Sequence, residues 1–162
     1  MNWIFRYTGA LFIMICVFFI NRGYREYLER GAKVRAGFIE LINRLRHKID
    51  CYMSTVPEAI EDFVCLPIEE LLSSVRDGEQ IGAAFARMKN KFRIGREGEE
   101  ILDRFFSDVT VGYKDTVVSA AVLARERLVE YDEKMRAEDE KSAKITASLL
   151  FGLGLGTVIL LI

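Results

Sequence analysis

Apolar residues fall in this chain in two ways: as unbroken runs near both ends, and as stripes at helical spacing between them. Residues 145–162 read Ile-Thr-Ala-Ser-Leu-Leu-Phe-Gly-Leu-Gly-Leu-Gly-Thr-Val-Ile-Leu-Leu-Ile without a charge, and residues 7–20 form the other run. A helix needs roughly 20 apolar residues to cross the hydrocarbon layer. The last run just reaches that length. The first reaches it when counted from Trp3, with Arg6 close enough to its end to snorkel to the interface that Trp3 also favours. The pattern predicts a transmembrane helix over 3–21, a body over 22–144 and a second transmembrane helix over 145–162. A cleaved signal peptide is the competing reading of the first run, but Ile20-Asn21-Arg22-Gly23 offers no small-residue cleavage site.

Between the runs, Val34, Phe38, Leu41, Leu45, Ile49 and Tyr52 step by three and four. That single apolar stripe continues the first helix to about Cys51–Met53. Thr55-Val56-Pro57-Glu58 then opens a short helix to about Val64: Thr55 caps it, Glu58 reaches back three residues and Pro57 fits the first turn. Leu66-Pro67-Ile68 opens another, ending at Asp77-Gly78. A further helix from about Glu79 to Phe92 turns Ile81, Ala84, Phe85 and Met88 inward. The next turns Ile101, Leu102, Phe105, Phe106 and Val109 inward and stops at Gly112. From Lys114 no breaker interrupts the pattern. Val117, Val118, Ala121, Leu128, Tyr131 and Met135 give it an apolar face. The charged stretch 130–144 reads as a solvated helix with opposite charges three and four apart. No strand pattern stands out. The expected fold is all-α, an antiparallel helical bundle with a transmembrane helix at each end.

Charge sharpens this picture. Basic and acidic residues number 23 and 24, so the body lacks the clustered basic footprint that nucleic acid requires. Arg22, Arg25, Arg30, Lys33 and Arg35 follow the first run, and Lys141 and Lys144 precede the second. By the positive-inside rule the body lies in the cytoplasm.

Candidate chemistry is sparse. Cys16, Cys51 and Cys65 form no CxxC pattern and read as free thiols of a reducing compartment. His47, the only histidine, lies off the apolar stripe between Arg46 and Lys48 and reads as solvated. No nucleophile elbow, Walker loop or HExxH occurs, so no catalytic residue, metal ligand or cofactor is assigned. Acidic residues gather at Glu58, Glu61, Asp62, Glu69, Glu70, Asp77 and Glu79, the first five being the candidate docking residues. They read as a solvated face that can dock a basic partner, and less readily as a divalent-cation site, since the spacing is not that of a calcium loop. Lys89, Lys91, Arg93 and Arg96 form a small basic counterpart. Ser148, Gly152 and Gly156, spaced by four, share one face of the last run. They suit a packing seam with the first run or with a partner, a second copy included, unless they reflect only the abundance of glycine in membrane helices.

Several segments together resemble a known family. They are the terminal runs, the stripe through Leu41, Leu45 and Ile49, the block Ser54-Thr55-Val56-Pro57-Glu58-Ala59-Ile60, the segment Gly112-Tyr113-Lys114-Asp115 and the ending Gly154-Leu155-Gly156-Thr157-Val158. Across essentially its whole length the chain resembles stage III sporulation protein AB, departing from that pattern at Val111 and Ser119. The family is similar in its cytoplasmic part to the F platform protein of type II secretion. The resemblance implies a non-enzymatic membrane platform of a channel-like complex between mother cell and forespore. It also implies, as partner, a cytoplasmic secretion-type ATPase, stage III sporulation protein AA. Two other readings stand beside it: a self-associating membrane organiser without an ATPase, and a membrane enzyme using the acidic cluster with a divalent metal.

Overall fold

The computed structural model describes residues 2–53, 55–111 and 113–161. Six helices follow in order: α1 (Asn2–Tyr52), α2 (Val56–Ile60), α3 (Glu69–Arg76), α4 (Ile81–Phe92), α5 (Arg96–Val111) and α6 (Lys114–Leu161). A short 3-10 turn over Leu66–Ile68 precedes α3, and no strand occurs among the described residues. The fold is all-α, with a long helix carrying an apolar stretch near each end of the chain. The expected stop at Gly112, the block residue Ser54 and the side chains of Trp3 and Arg6 lie outside the described residues. The chain divides into two compact units, one of residues 30–134 and one of residues 1–29 with 135–162.

The first unit is the body. Helical spacing on α1 buries Phe38, Leu41, Ile42 and Leu45 completely. Phe38 meets three other rings edge-on, Phe85 and Phe92 of α4 at 5.6 and 5.2 Å and Phe106 of α5 at 6.3 Å. These edge-to-face contacts add directional preference to the apolar burial. Tyr52 departs from the expected stripe: it is 67% exposed, because α1 ends there and the core ends at Ile49. Segments of α1 and α6 run antiparallel in the body, as two contacts show. The Lys114 ammonium donates to the Asp50 carbonyl at 2.6 Å, and the Arg35 Nε donates to Asp132 at 2.7 Å.

Two glycines let α5 seat against α6. Gly95 has φ +93°, and a Cβ there would stand 2.4 Å from the Tyr131 hydroxyl. A Cβ on Gly98 would meet the same ring at 2.9 Å. The space lets the buried Tyr131 hydroxyl donate to the Ile94 carbonyl at 2.6 Å.

The short helix α2 is shorter than the sequence pattern suggests. The Glu58 carboxylate accepts the Thr55 N–H at 2.8 Å, as expected for the capping box. The helix then stops at Ile60, not near Val64. Ala59, Ile60 and Phe63 take the buried positions. A turn at Glu61–Asp62 follows, and Phe63 beyond it is buried as well. The chain then extends through Cys65 (φ −142°, ψ 98°).

The second unit contains the apolar ends of α1 and α6. Its large apolar residues point outward: Leu11, Phe12, Phe18, Phe19, Leu153 and Leu160 are all more than half exposed. Gly154 is buried. A Cβ there would lie 3.0 Å from Val17 Cγ2, so this is where α6 comes close to α1.

Candidate functional site

The five acidic residues singled out in the sequence occupy three settings. Glu58 is the capping residue of α2, its carboxylate turned to the Thr55 N–H. Glu61 and Asp62 form the exposed turn that follows. Glu69 and Glu70 open α3, where carboxylates suit the positive end of the helix dipole. Glu58, Glu61 and Asp62 therefore do not lie on one continuous helix.

Much of this charge is answered inside the body. Arg76 donates to Glu69 at 2.6 Å and also to the Phe63 carbonyl. The Arg76 hydrogen bond is the main cause that holds the Glu69 carboxyl below the usual carboxylate range. The Cys65 N–H adds to this, and partial burial opposes it. Glu70 pairs with Lys91, Lys89 with Asp103 at 3.1 Å and Arg96 with Glu100 at 3.0 Å. The basic counterpart read from the sequence is thus engaged within this same unit. Glu61 and Asp62 keep their carboxylates in solvent. Among the described residues no group of three or more His, Cys, Asp and Glu side chains is close enough to hold a metal ion.

Beside that turn stand two apolar side chains whose exposure the sequence pattern did not predict. Leu66 is 86% exposed and Val64 73% exposed, while Phe63 and Ile68 on either side are buried. The extended backbone at Cys65 alternates these residues outward and inward. The only hint in the sequence was Pro67, which disfavours helix at the residue before it. Cys65 turns toward α1, where its sulfur would lie 2.8 Å from a Cβ on Gly37. Burial there pushes the Cys65 thiol up, and Glu40 adds to the shift. A thiol so raised is a poor nucleophile.

In the other unit, Ser148, Gly152 and Gly156 lie on an exposed face of α6. A Cβ on Gly152 or Gly156 would meet nothing within 4 Å. The close approach to α1 belongs to Gly154 instead.

The described family of stage III sporulation protein AB matches residues 6–162. The chain belongs to the stage III sporulation protein AB family. No curated protein and no solved structure matches it. The family name describes a protein of sporulation stage III. With two helices long and apolar enough to cross a membrane, membership of this family points to membrane association.

Proposed function

We propose that this stage III sporulation protein AB family member is a non-enzymatic membrane platform whose body docks a cytoplasmic secretion-type ATPase, stage III sporulation protein AA. In this reading the apolar stretches of α1 and α6 span the outer forespore membrane, and the body faces the mother-cell cytoplasm. The orientation rests on Arg22, Arg25, Lys141 and Lys144 flanking the apolar stretches. The docking surface is the turn from Glu61 to Leu66, with Glu58, Glu69 and Glu70 around it.

The observation that carries the proposal is the exposure of Val64 and Leu66 directly beside the free carboxylates of Glu61 and Asp62. Two aliphatic side chains turned to water beside unpaired acids suit an interface with an apolar centre and a charged rim. Photocrosslinking in sporulating cells with the probe at position 61 tests it. Capture of the ATPase is the expected result. Capture of other proteins only, with this protein still in the membrane, would overturn the docking surface.

A second reading, self-association through the membrane helices, is favoured by the exposed face of Ser148, Gly152 and Gly156. Small residues let helix backbones approach closely in lipid. Disulfide formation between two copies carrying Gly152→Cys supports it. Its absence, with copies shown to reach the membrane, removes it.

A further inference from the structure

Charge is ordered along the unit that carries the apolar stretches. Outward from Ile20, α1 bears Arg22 and Arg25 first, then Glu26 and Glu29. Outward from Ile145, α6 is read in the opposite chain direction and bears Lys144 and Lys141 first, then Glu140, Asp139 and Glu138. Each helix thus passes from apolar to cationic to acidic with distance from its apolar stretch. Two helices of opposite chain direction share this order, so it does not come from one local motif repeated.

Some of these charges answer each other. Arg22 donates to Glu26 at 3.0 Å and Lys144 to Glu140 at 2.7 Å. Arg25 and Glu29 on α1, and Lys141 and Glu138 on α6, are exposed and have no ion-pair or hydrogen-bond partner among the described residues. The members of each couple are four or three residues apart, so they share a helix face, roughly 5 Å apart along the axis. Arg30 follows Glu29 in the chain but lies about 100° round the helix from it. On the lipid side of each cation the same face stays apolar and uncovered. Phe18, one helical repeat before Arg25, is 62% exposed, and Ile145, one turn after Lys141, is 61% exposed.

The balance and the order of these charges select a ligand. The cations Arg22, Arg25, Lys141 and Lys144 stand against the acids Glu26, Glu29, Glu138, Asp139 and Glu140. A purely anionic headgroup gains nothing from that sum. Cation near the lipid and acid further out match a zwitterionic headgroup, whose phosphate adjoins the acyl chains and whose amine lies beyond it. A primary ammonium brings three N–H donors to a carboxylate; a quaternary one brings none. We propose that the couples Arg25–Glu29 and Lys141–Glu138 bind the headgroups of a zwitterionic phospholipid with a primary amine, phosphatidylethanolamine in type. The cation takes the phosphate, the acid takes the ammonium, and the acyl chains lie along Phe18 and Ile145. This rests on the membrane-spanning reading of α1 and α6 given above. A free headgroup would meet the charges but gain nothing from the apolar rows.

The test uses the full chain reconstituted in bilayers of phosphatidylethanolamine, phosphatidylglycerol and phosphatidylcholine in equal parts. The protein is withdrawn in mild detergent, and the lipids that stay with it are identified by mass spectrometry. Phosphatidylethanolamine should be enriched about threefold or more over each of the others. The double variant E29Q/E138Q should lose that preference and shift toward phosphatidylglycerol, because the acids that repel it are gone. R25Q/K141Q should lower the total lipid retained, and R104Q/R127Q, which removes as much charge from the body, should change nothing. Circular dichroism checks that each variant folds. Free phosphoethanolamine should not displace the retained lipid; displacement would assign the couples to a small zwitterion and overturn the lipid site. A retained set that mirrors the bilayer, one led by phosphatidylglycerol, or an order unchanged in E29Q/E138Q also overturns it. Carbonate extraction separates the two readings. Release of the chain from the bilayer would defeat the spanning reading, and this proposal with it. Retention with an unselective lipid shell would defeat this proposal alone.

Discussion

The two units use apolar residues in opposite ways. In the body, phenylalanines converge: Phe38, Phe85, Phe105 and Phe106 are each no more than 1% exposed. In the unit formed by the ends of α1 and α6, Phe12, Phe18 and Phe19 are each more than 60% exposed. One residue type is drawn from water in the first case and needs an apolar solvent in the second. The body therefore draws its stability from the hydrophobic effect. The pair of apolar helices draws on it only to stay in lipid, and its own cohesion rests on close approach at Gly154.

Core truncation should break this comparison most sharply. Phe38→Ala removes a ring that touches two other helices, and should lower the body's unfolding free energy by about 3–5 kcal/mol. Urea denaturation of the full chain in detergent, followed by near-UV circular dichroism, measures it. Membrane retention in carbonate extraction should not change, because Phe38 takes no part in the apolar ends. Loss of both properties together would mean that the two units do not depend on separate forces.

The buried ion pair tests the body in another way. The side chains of Arg35 and Asp132 are 3% and 9% exposed. Asp132→Ala leaves a guanidinium buried without that carboxylate and should cost about 3–5 kcal/mol. Replacing both, as Arg35→Met with Asp132→Leu, should recover most of the loss, since an apolar pair of similar volume is often neutral or better. A double variant as unstable as the single one would show that the pair contributes more than charge balance, such as fixing the register of α6 against α1.

The sequence made some of this readable and concealed the rest for physical reasons. Long helices with period 3.6 announced themselves, and so did the inward residues of α4 and the capping box at Thr55. The short segment after Ile60 did not. There Phe63 is buried with the Arg44 guanidinium over its ring at 5.4 Å, a tertiary contact that local propensity cannot report. The ion pairs of Glu69 and Glu70 lay hidden for the same reason: their partners Arg76 and Lys91 are seven and 21 residues away. The small residues of the last run were visible, but spacing by four could not tell which helix face meets α1. The face that does carries Gly154, with Leu150 and Val158 one turn to either side.

That last distinction yields a covalent test. A Cβ at position 154 would stand 3.9 Å from the Val17 Cβ, close to the usual disulfide separation of about 3.8 Å. With Cys16 replaced by Ser, the pair Val17→Cys and Gly154→Cys should form an intramolecular disulfide under mild oxidation. It would appear as a mobility shift reversed by reductant. Val17→Cys with Gly152→Cys should not, because nothing approaches position 152 within 4 Å. The opposite result would assign the approach of α6 to the Ser148, Gly152 and Gly156 face.

The smallest effect expected is a pH dependence confined to the body. The Arg76 hydrogen bond holds the Glu69 carboxyl below its ordinary value of 4.5. A depressed carboxylate contributes stability that is fully present above its unfolded value. That contribution fades as pH falls through the lower folded value. Glu69 is 34% exposed, so solvent screens the pair and the contribution is modest. The urea midpoint of the wild type should exceed that of Glu69→Gln at pH 7, and the gap should narrow steadily below pH 4.5. A gap that stays constant into acid would mean that Glu69 acts through its shape at the start of α3, and that its charge on Arg76 adds nothing. In a chain that already carries Arg76→Gln, Glu69→Gln should lower the urea midpoint at pH 7 by less than it does in the wild type if the pair is the source, since their shared interaction is already gone.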